Sequence, residues 1–195
     1  MFRMVLNVED VDYNTLIDMI SEMIKQNKDN PALKGMKMPI GGFSMLKHLP
    51  TDKKNEMFAM VINQDKNRTI QTLTSVVSAN IGAIRVLDAS ASTMSSGIQL
   101  LVDVGTFDFD RGIDLFFPKY LQKEDFDEAV GDEVACVNID EFCRQVKSLP
   151  IEDKEVVFLR SIRMKKEAFL SDLENVMKGK GISLRLTELK ILVRR

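Results

Sequence analysis

The stretch from residue 46 to residue 89, LKHLPTDKKNEMFAMVINQDKNRTIQTLTSVVSANIGAIRVLDA, returns a hundred residues later as VKSLPIEDKEVVFLRSIRMKKEAFLSDLENVMKGKGISLRLTEL. Without a gap, Lys47, Leu49, Pro50, Lys54, Phe58, Ile62, Lys66, Leu73 and Arg85 fall on Lys147, Leu149, Pro150, Lys154, Phe158, Ile162, Lys166, Leu173 and Arg185. Most apolar positions between them match in type. Upstream, with a slightly shorter offset, Val104, Asp108, Phe109, Ile113 and Asp114 lie on Val8, Asp12, Tyr13, Ile17 and Asp18. This pattern predicts an internal duplication, in which any local structure assigned to one half has a counterpart in the other.

Residues 2 to 8, FRMVLNV, alternate and are β-branched enough to read as a strand, and Ile98 to Val104 is its counterpart. Leu16, Ile17, Ile20, Met23 and Ile24 then recur at helical spacing behind Asp12, which is suited to cap the helix. Pro118 is expected to bend or end the matching helix early, because its ring removes a hydrogen bond and crowds the preceding turn. Short helices are expected over 43 to 48 and 139 to 148, the latter capped by Asn138 or Asp140. Pro50 and Pro150 open the next helix, where the missing N–H is no loss. Met57, Phe58, Val61 and Ile62 line that helix in the first half, and Val157, Phe158 and Ile162 in the second. A last helix carries Ile70, Leu73, Val76 and Val77, with Asn67 as a candidate cap. Its counterpart carries Phe169, Leu170, Leu173, Val176 and Met177. Gly82, Gly179 and Gly181 suit helix ends. Strands over 83 to 89 and 182 to 191 close the halves.

Each copy therefore reads β-α-(α)-α-α-β. A two-stranded sheet is marginal alone, so the copies should pool strands or helix faces into a pseudo-twofold α+β (or α/β) body. The expected division is residues 1–90 for one copy, 91–97 for a connector within the small, polar run SASTMSSG (90 to 97), and 98–195 for the other, the whole forming one cooperative unit. Two loops differ between the copies: NKDNPALKGMKMPIGG at 27 to 42, and the longer, acidic QKEDFDEAVGDEVACVN at 122 to 138. Insertions belong on surfaces, and function concentrates there.

Composition narrows the function classes. Apolar residues near 45% and charged residues near 29% fit a globular chain. No segment approaches the roughly 18 apolar residues of a membrane span, so a cytoplasmic protein without a membrane partner is expected. Cys136 and Cys143, as the two cysteines, match no zinc-ligand spacing and read as reduced thiols. With His48 the single histidine, a His-rich metal site is excluded. Residues 97 to 142 carry three basic and twelve acidic side chains, against thirteen basic and seven acidic in 143 to 195. Those seven carboxylates dilute the basic half and argue against nucleic-acid binding.

The run Asp108 to Asp114, DFDRGID, spaces oxygens as a calcium loop does, but lacks the distal Glu and the glycine position of that loop. Helix capping accounts for it better. Arg85 and Arg185 occupy matching places in the closing strands, and two guanidinium groups paired across a pseudo-twofold could hold a carboxylate or phosphate. Solvation, or ion pairing to Asp88 and Glu188, is the plainer reading. Gly41-Gly42 and the Gly179–Gly181 run are turns, not phosphate loops. The twelve methionines fall largely on helix stripes and serve as core filler.

The sequence thus favours a non-catalytic interaction protein, with no catalytic residue, metal or cofactor assigned and with another protein or a second copy of itself as partner. The alternative is a small-anion or metabolite binder, or an enzyme, with its site between the copies and Arg85 and Arg185 as ligand-binding residues. His48, at the place of Ser148, reads as structural, since a hydroxyl or an imidazole there can both reach free groups at a helix end.

Overall fold

The computed structural model describes residues 2–26, 42–82 and 84–193. The loop expected at 27 to 42 lies, apart from Gly42, outside the described residues. Strand β1 (Phe2–Glu9) is followed by helices α1 (Tyr13–Gln26), α2 (Gly42–Leu46), α3 (Thr51–Gln64) and α4 (Lys66–Ile81), then β2 (Ile84–Thr93). Strand β3 (Gly97–Phe107) leads into α5 (Phe109–Tyr120), a 3-10 turn at Lys123–Asp125, α6 (Phe126–Val130), α7 (Ile139–Ser148), α8 (Ile151–Met164), α9 (Lys166–Gly179) and β4 (Arg185–Val193).

Side-chain caps set several helix starts. Asp12 accepts from the Thr15 N–H at 3.0 Å, Asp108 from that of Arg111 at 3.1 Å, and Asn138 from that of Glu141 at 2.9 Å. Pro50 and Pro150 stand just before the first helical residue, and their carbonyls accept from Lys54 at 3.1 Å and Lys154 at 3.0 Å. Asn67 does not cap α4. The break between α3 and α4 is the single residue Asp65, whose N–H closes one helix on Val61 while its carboxylate receives the Arg68 N–H of the next. Helix α5 runs through Pro118 and stops two residues later at Tyr120. Gly82 and Gly181 take positive φ (88° and 80°), as expected for helix ends.

The strands form one antiparallel sheet of order β2-β3-β1-β4. All pairings are antiparallel, so the fold is α+β and the α/β option is set aside. Strands β1 and β2 are not neighbours: β3 lies between them. At the centre Phe2 faces Val104, Val5 faces Leu101 and Val8 faces Ile98. Strand β4 runs against β1 with Phe2 opposite Val193 and Leu6 opposite Leu189, then shifts by a bulge that puts Val8 opposite Leu186. Strand β2 runs against β3 with Thr93 opposite Ile98 and Ala89 opposite Val102, and after its irregularity Val86 stands opposite Val104. The polar run expected to connect the halves is mostly strand. Residues 90 to 93 prolong β2, and the turn shrinks to the residues between Met94 and Gly97, tied by a 2.8 Å hydrogen bond. Strand period is hidden there because small polar residues occupy an edge strand, where pairing with β3 decides the conformation.

Phe2, Met4, Leu6, Val102, Val104, Ile191 and Leu189 enter the main core with α4, α5 and α7 to α9. Phe158 is its hub: fully buried, with ring centroids at 4.8 Å from Phe107, 5.6 Å from Phe116, 5.9 Å from Phe109 and 6.1 Å from Phe117. A smaller cluster at the far end of the sheet joins Val8 and Ile98 to Ala59 and Ile62 of α3. The acidic segment at 122 to 138 is mostly exposed, as expected, but is anchored to the core. It buries Phe126, Ala129 and Cys136, and Phe126 stacks on Phe142 at 4.2 Å with rings 3° from parallel. Alternating with the core residues, Arg3 forms a bidentate pair with Asp103 (2.6 and 2.9 Å), while Gln99, Asn7 and Glu188 link in a row at 3.1 and 2.9 Å.

Because β1 and β2 both pair with strands from beyond Gly97, residues 1–96 alone hold no adjacent strands. That fragment is expected to be unfolded or self-associated in sedimentation and circular dichroism. Mixing it with residues 97–195 is expected to restore the cooperative melt of the whole chain. A monomeric fragment melting cooperatively by itself would contradict this reading of the sheet.

Candidate functional site

The two arginines singled out from the sequence do not meet. Arg85 lies at the start of edge strand β2 and Arg185 at the start of the opposite edge β4. The two edge strands run in opposite directions, which puts the arginines at diagonal corners of the sheet. Arg185 is also engaged, donating to Glu9 at 3.2 Å and to Asp10 at 2.9 Å. Asp10 holds a left-handed φ of 47° at that corner, a conformation Asp tolerates better than most residues. Asp88 and Glu188 pair with Lys66 (2.8 Å) and Lys190 (2.9 Å) rather than with the arginines. A cleft of about 320 Å3 beside Arg185, between α9 and β4, is lined by Lys166, Glu174 and Glu188 as well. Its charges offset one another, and Glu174 is committed to the Leu186 N–H at 2.6 Å.

The carboxylates of the calcium-like run are used by the fold. Asp108 caps α5, Asp110 pairs with Lys154 at 2.7 Å, and Asp114 with Lys147 at 2.6 Å. Among the described residues no group of three or more His, Cys, Asp or Glu side chains could hold a metal ion. Both cysteines are buried. Burial, with Asp114 next in effect, pushes the Cys143 thiol up to about 11, and burial raises Cys136 as well, which keeps both from acting as thiolates near neutrality. His48 is exposed in the turn after α2, its N–H donating to Met45 at 3.1 Å.

One polar network was not anticipated from the sequence. Tyr120 donates its hydroxyl to Asp172 at 2.6 Å, Lys119 reaches the same carboxylate at 2.7 Å, and Lys119 also donates to buried Asn80 at 3.1 Å. The Lys119 and Tyr120 hydrogen bonds hold Asp172 below the ordinary carboxylate range. Burial, then Asp172, raises the Tyr120 phenol. These residues tie α4, α5 and α9 together. No motif links them, because the three helices meet only in the fold.

A concavity lies between α3 and the end of β2. This groove of about 510 Å3 is bordered by Ala59, Met60 and Asn63 from the helix and by Ala91, Ser92 and Thr93 from the strand. Its floor is low because Ala59 and Ala91 are small. The residues a hundred positions later are Leu159 and Ile191, both buried. At the rim the Asn63 amide donates to the Ala91 carbonyl and accepts from the Ala91 N–H, both at 2.8 Å, as a neighbouring strand would. Comparing the halves by side-chain size, rather than by identity, was the signal in the sequence that points here.

No protein-family model, curated protein or solved structure matches this chain. Among the described residues no helix is long and apolar enough to cross a membrane.

Two solution tests address these groups. A carboxylate with a depressed folded pKa lends stability that is fully present above its ordinary value of 3.8 and is lost as the pH falls through the folded value. Asp172→Asn is therefore expected to be less stable at neutral pH and to lose stability less steeply in acid than wild type. Parallel acid limbs in urea titrations would show that Asp172 does not contribute. For the cysteines, iodoacetamide at pH 8 is expected to label the native chain slowly and the urea-unfolded chain fully. Rapid stoichiometric labelling of the native chain would show a reactive thiol.

Proposed function

We propose that the chain is a tandem duplication acting as a non-catalytic, cytoplasmic polypeptide-binding protein, with the groove between α3 and β2 as its binding site. Paired contacts support the duplication. Tyr13 meets Phe58 edge to face at 5.7 Å and 79°, and Phe109 meets Phe158 at 5.9 Å and 78°. Asp18 pairs with Lys47 at 2.5 Å and Asp114 with Lys147 at 2.6 Å. Asn63 bonds the Ala91 carbonyl, and Arg163 that of Ile191, each at 2.8 Å. The sheet register repeats too: Phe2 opposite Val193, Leu6 opposite Leu189 and Val8 opposite Leu186 answer Ile98 opposite Thr93, Val102 opposite Ala89 and Val104 opposite Val86. Val5 and Leu101, equivalents under this relation, face each other at the pseudo-axis.

The groove is the observation that carries the function. At equivalent places one half fills the space between helix and edge strand with Leu159 and Ile191, and the other leaves it open with Ala59 and Ala91. Exposed Met60 beside it adds adaptable apolar surface. The lining mixes small apolar side chains, Met60, amides and hydroxyls with the single carboxylate of Glu56, which suits a peptide better than an anionic metabolite. The rival anion-binding reading has Arg85 and Arg185 at opposite corners and Arg185 held by two carboxylates.

Selection of a displayed library of random linear peptides on the immobilised full chain is expected to enrich a related set of binders. Inorganic phosphate and citrate are expected to leave the melting temperature unchanged. No enrichment, together with a phosphate-induced rise in melting temperature that Arg185→Ala abolishes, would replace this reading with the anion-binding one.

A further inference from the structure

Resting on the polypeptide-binding reading, we propose that the partner is an extended segment that adds to the sheet as a strand along β2 and lowers one branched aliphatic side chain between Ala59 and Ala91. Two independent observations specify this occupant. The first is the state of the strand edge. Alternate residues of an antiparallel edge strand turn their backbone groups outward. Ala91, whose N–H and carbonyl are both taken by the Asn63 amide at 2.8 Å, identifies the outward set as Ala89, Ala91 and Thr93. The Ala89 N–H is likewise held by a side chain, the Asp88 carboxylate at 2.9 Å. Side-chain stand-ins keep an edge from pairing indiscriminately. Asn63 is exposed and leaves its position by side-chain rotation, so a strand that supplies the same two hydrogen bonds can replace it.

The second observation is the missing volume. In the other half Leu159 of the matching helix and Ile191 of the matching strand are both buried in the main core, 1% and 5% exposed. The position of Arg163 there provides a single hydrogen bond to the Ile191 carbonyl. The groove thus lacks the bulk of two branched aliphatic side chains, at the level where a strand paired with Ala91 would turn a side chain inward. A strand laid between a sheet edge and a helix takes its affinity from main-chain hydrogen bonds and its selectivity from the pocket for alternate side chains. Small-molecule binding would not use the paired donor and acceptor at strand spacing.

The test uses peptides enriched on the full chain and amide hydrogen exchange of the isotopically labelled protein. With peptide bound, the amides of Ala91 and Thr93 are expected to gain protection. The enriched peptides are expected to share an aliphatic residue at one position. The double variant Ala59→Leu/Ala91→Ile, which fills the groove as the other half does, is expected to weaken binding about tenfold or more. Asn63→Ala, which vacates the edge, is expected to tighten it roughly two- to tenfold. Should the double variant fail to fold, exchange in the wild-type chain decides. Protection confined to other elements, equal binding to the filled variant, or unchanged or weaker binding to Asn63→Ala overturns strand addition while leaving polypeptide binding in place. Failure to enrich any peptide removes both.

Discussion

The pairing of β1 with β3 is the constraint on which the rest depends. Side-chain period along a strand is two, so slipping this pair by one residue would turn Phe2, Met4, Leu6 and Val8 away from the helices and expose the core. Register is held on both faces, by Met4 beside Val102 on one and by the bidentate Arg3–Asp103 pair on the other. Each outer strand then joins a central strand from the other half of the chain. Neither half possesses a pair of adjacent strands of its own.

Around that sheet the two halves are built unequally. The second supplies the aromatic hub at Phe158, and its acidic segment folds back to stack Phe126 on Phe142. Full burial of such rings contributes about 1.5 to 3 kcal/mol each. The first half contributes smaller side chains to a smaller cluster around Val8, Ile98 and Ala59. Under the proposed duplication, buried aromatic side chains are concentrated in one copy and open volume in the other, and a groove lined by small side chains gives up packing energy.

Charge serves the same framework. Lys147, Lys154 and Lys165 from the basic stretch 143 to 195 reach Asp114, Asp110 and Asp125 of the acidic stretch 97 to 142 at 2.6 to 2.7 Å. At Asp125 burial alone would raise the carboxyl pKa, but the Lys165 and Gln122 hydrogen bonds outweigh it and lower it. Part of the uneven charge along the chain is thus folded onto itself.

Local chemistry was legible in the sequence. Asp12, Asp108 and Asn138 cap helices because a short side-chain oxygen satisfies a free N–H next to it, and Pro50 and Pro150 mark helix entries because proline needs no N–H there. The order of strands and helices followed from periodicity, and the mixed α and β class from that order. Only the tertiary structure decided that β3 lies between β1 and β2, that residues 90 to 93 are strand, that Arg85 and Arg185 stand at opposite corners, and that Tyr120, Asp172 and Lys119 meet. Each of these depends on contacts between residues far apart in the chain, which spacing along the sequence does not encode. The groove belongs to both levels: Ala59 and Ala91 can be read beside Leu159 and Ile191 in the sequence, but their facing across helix and strand exists only once the chain is folded.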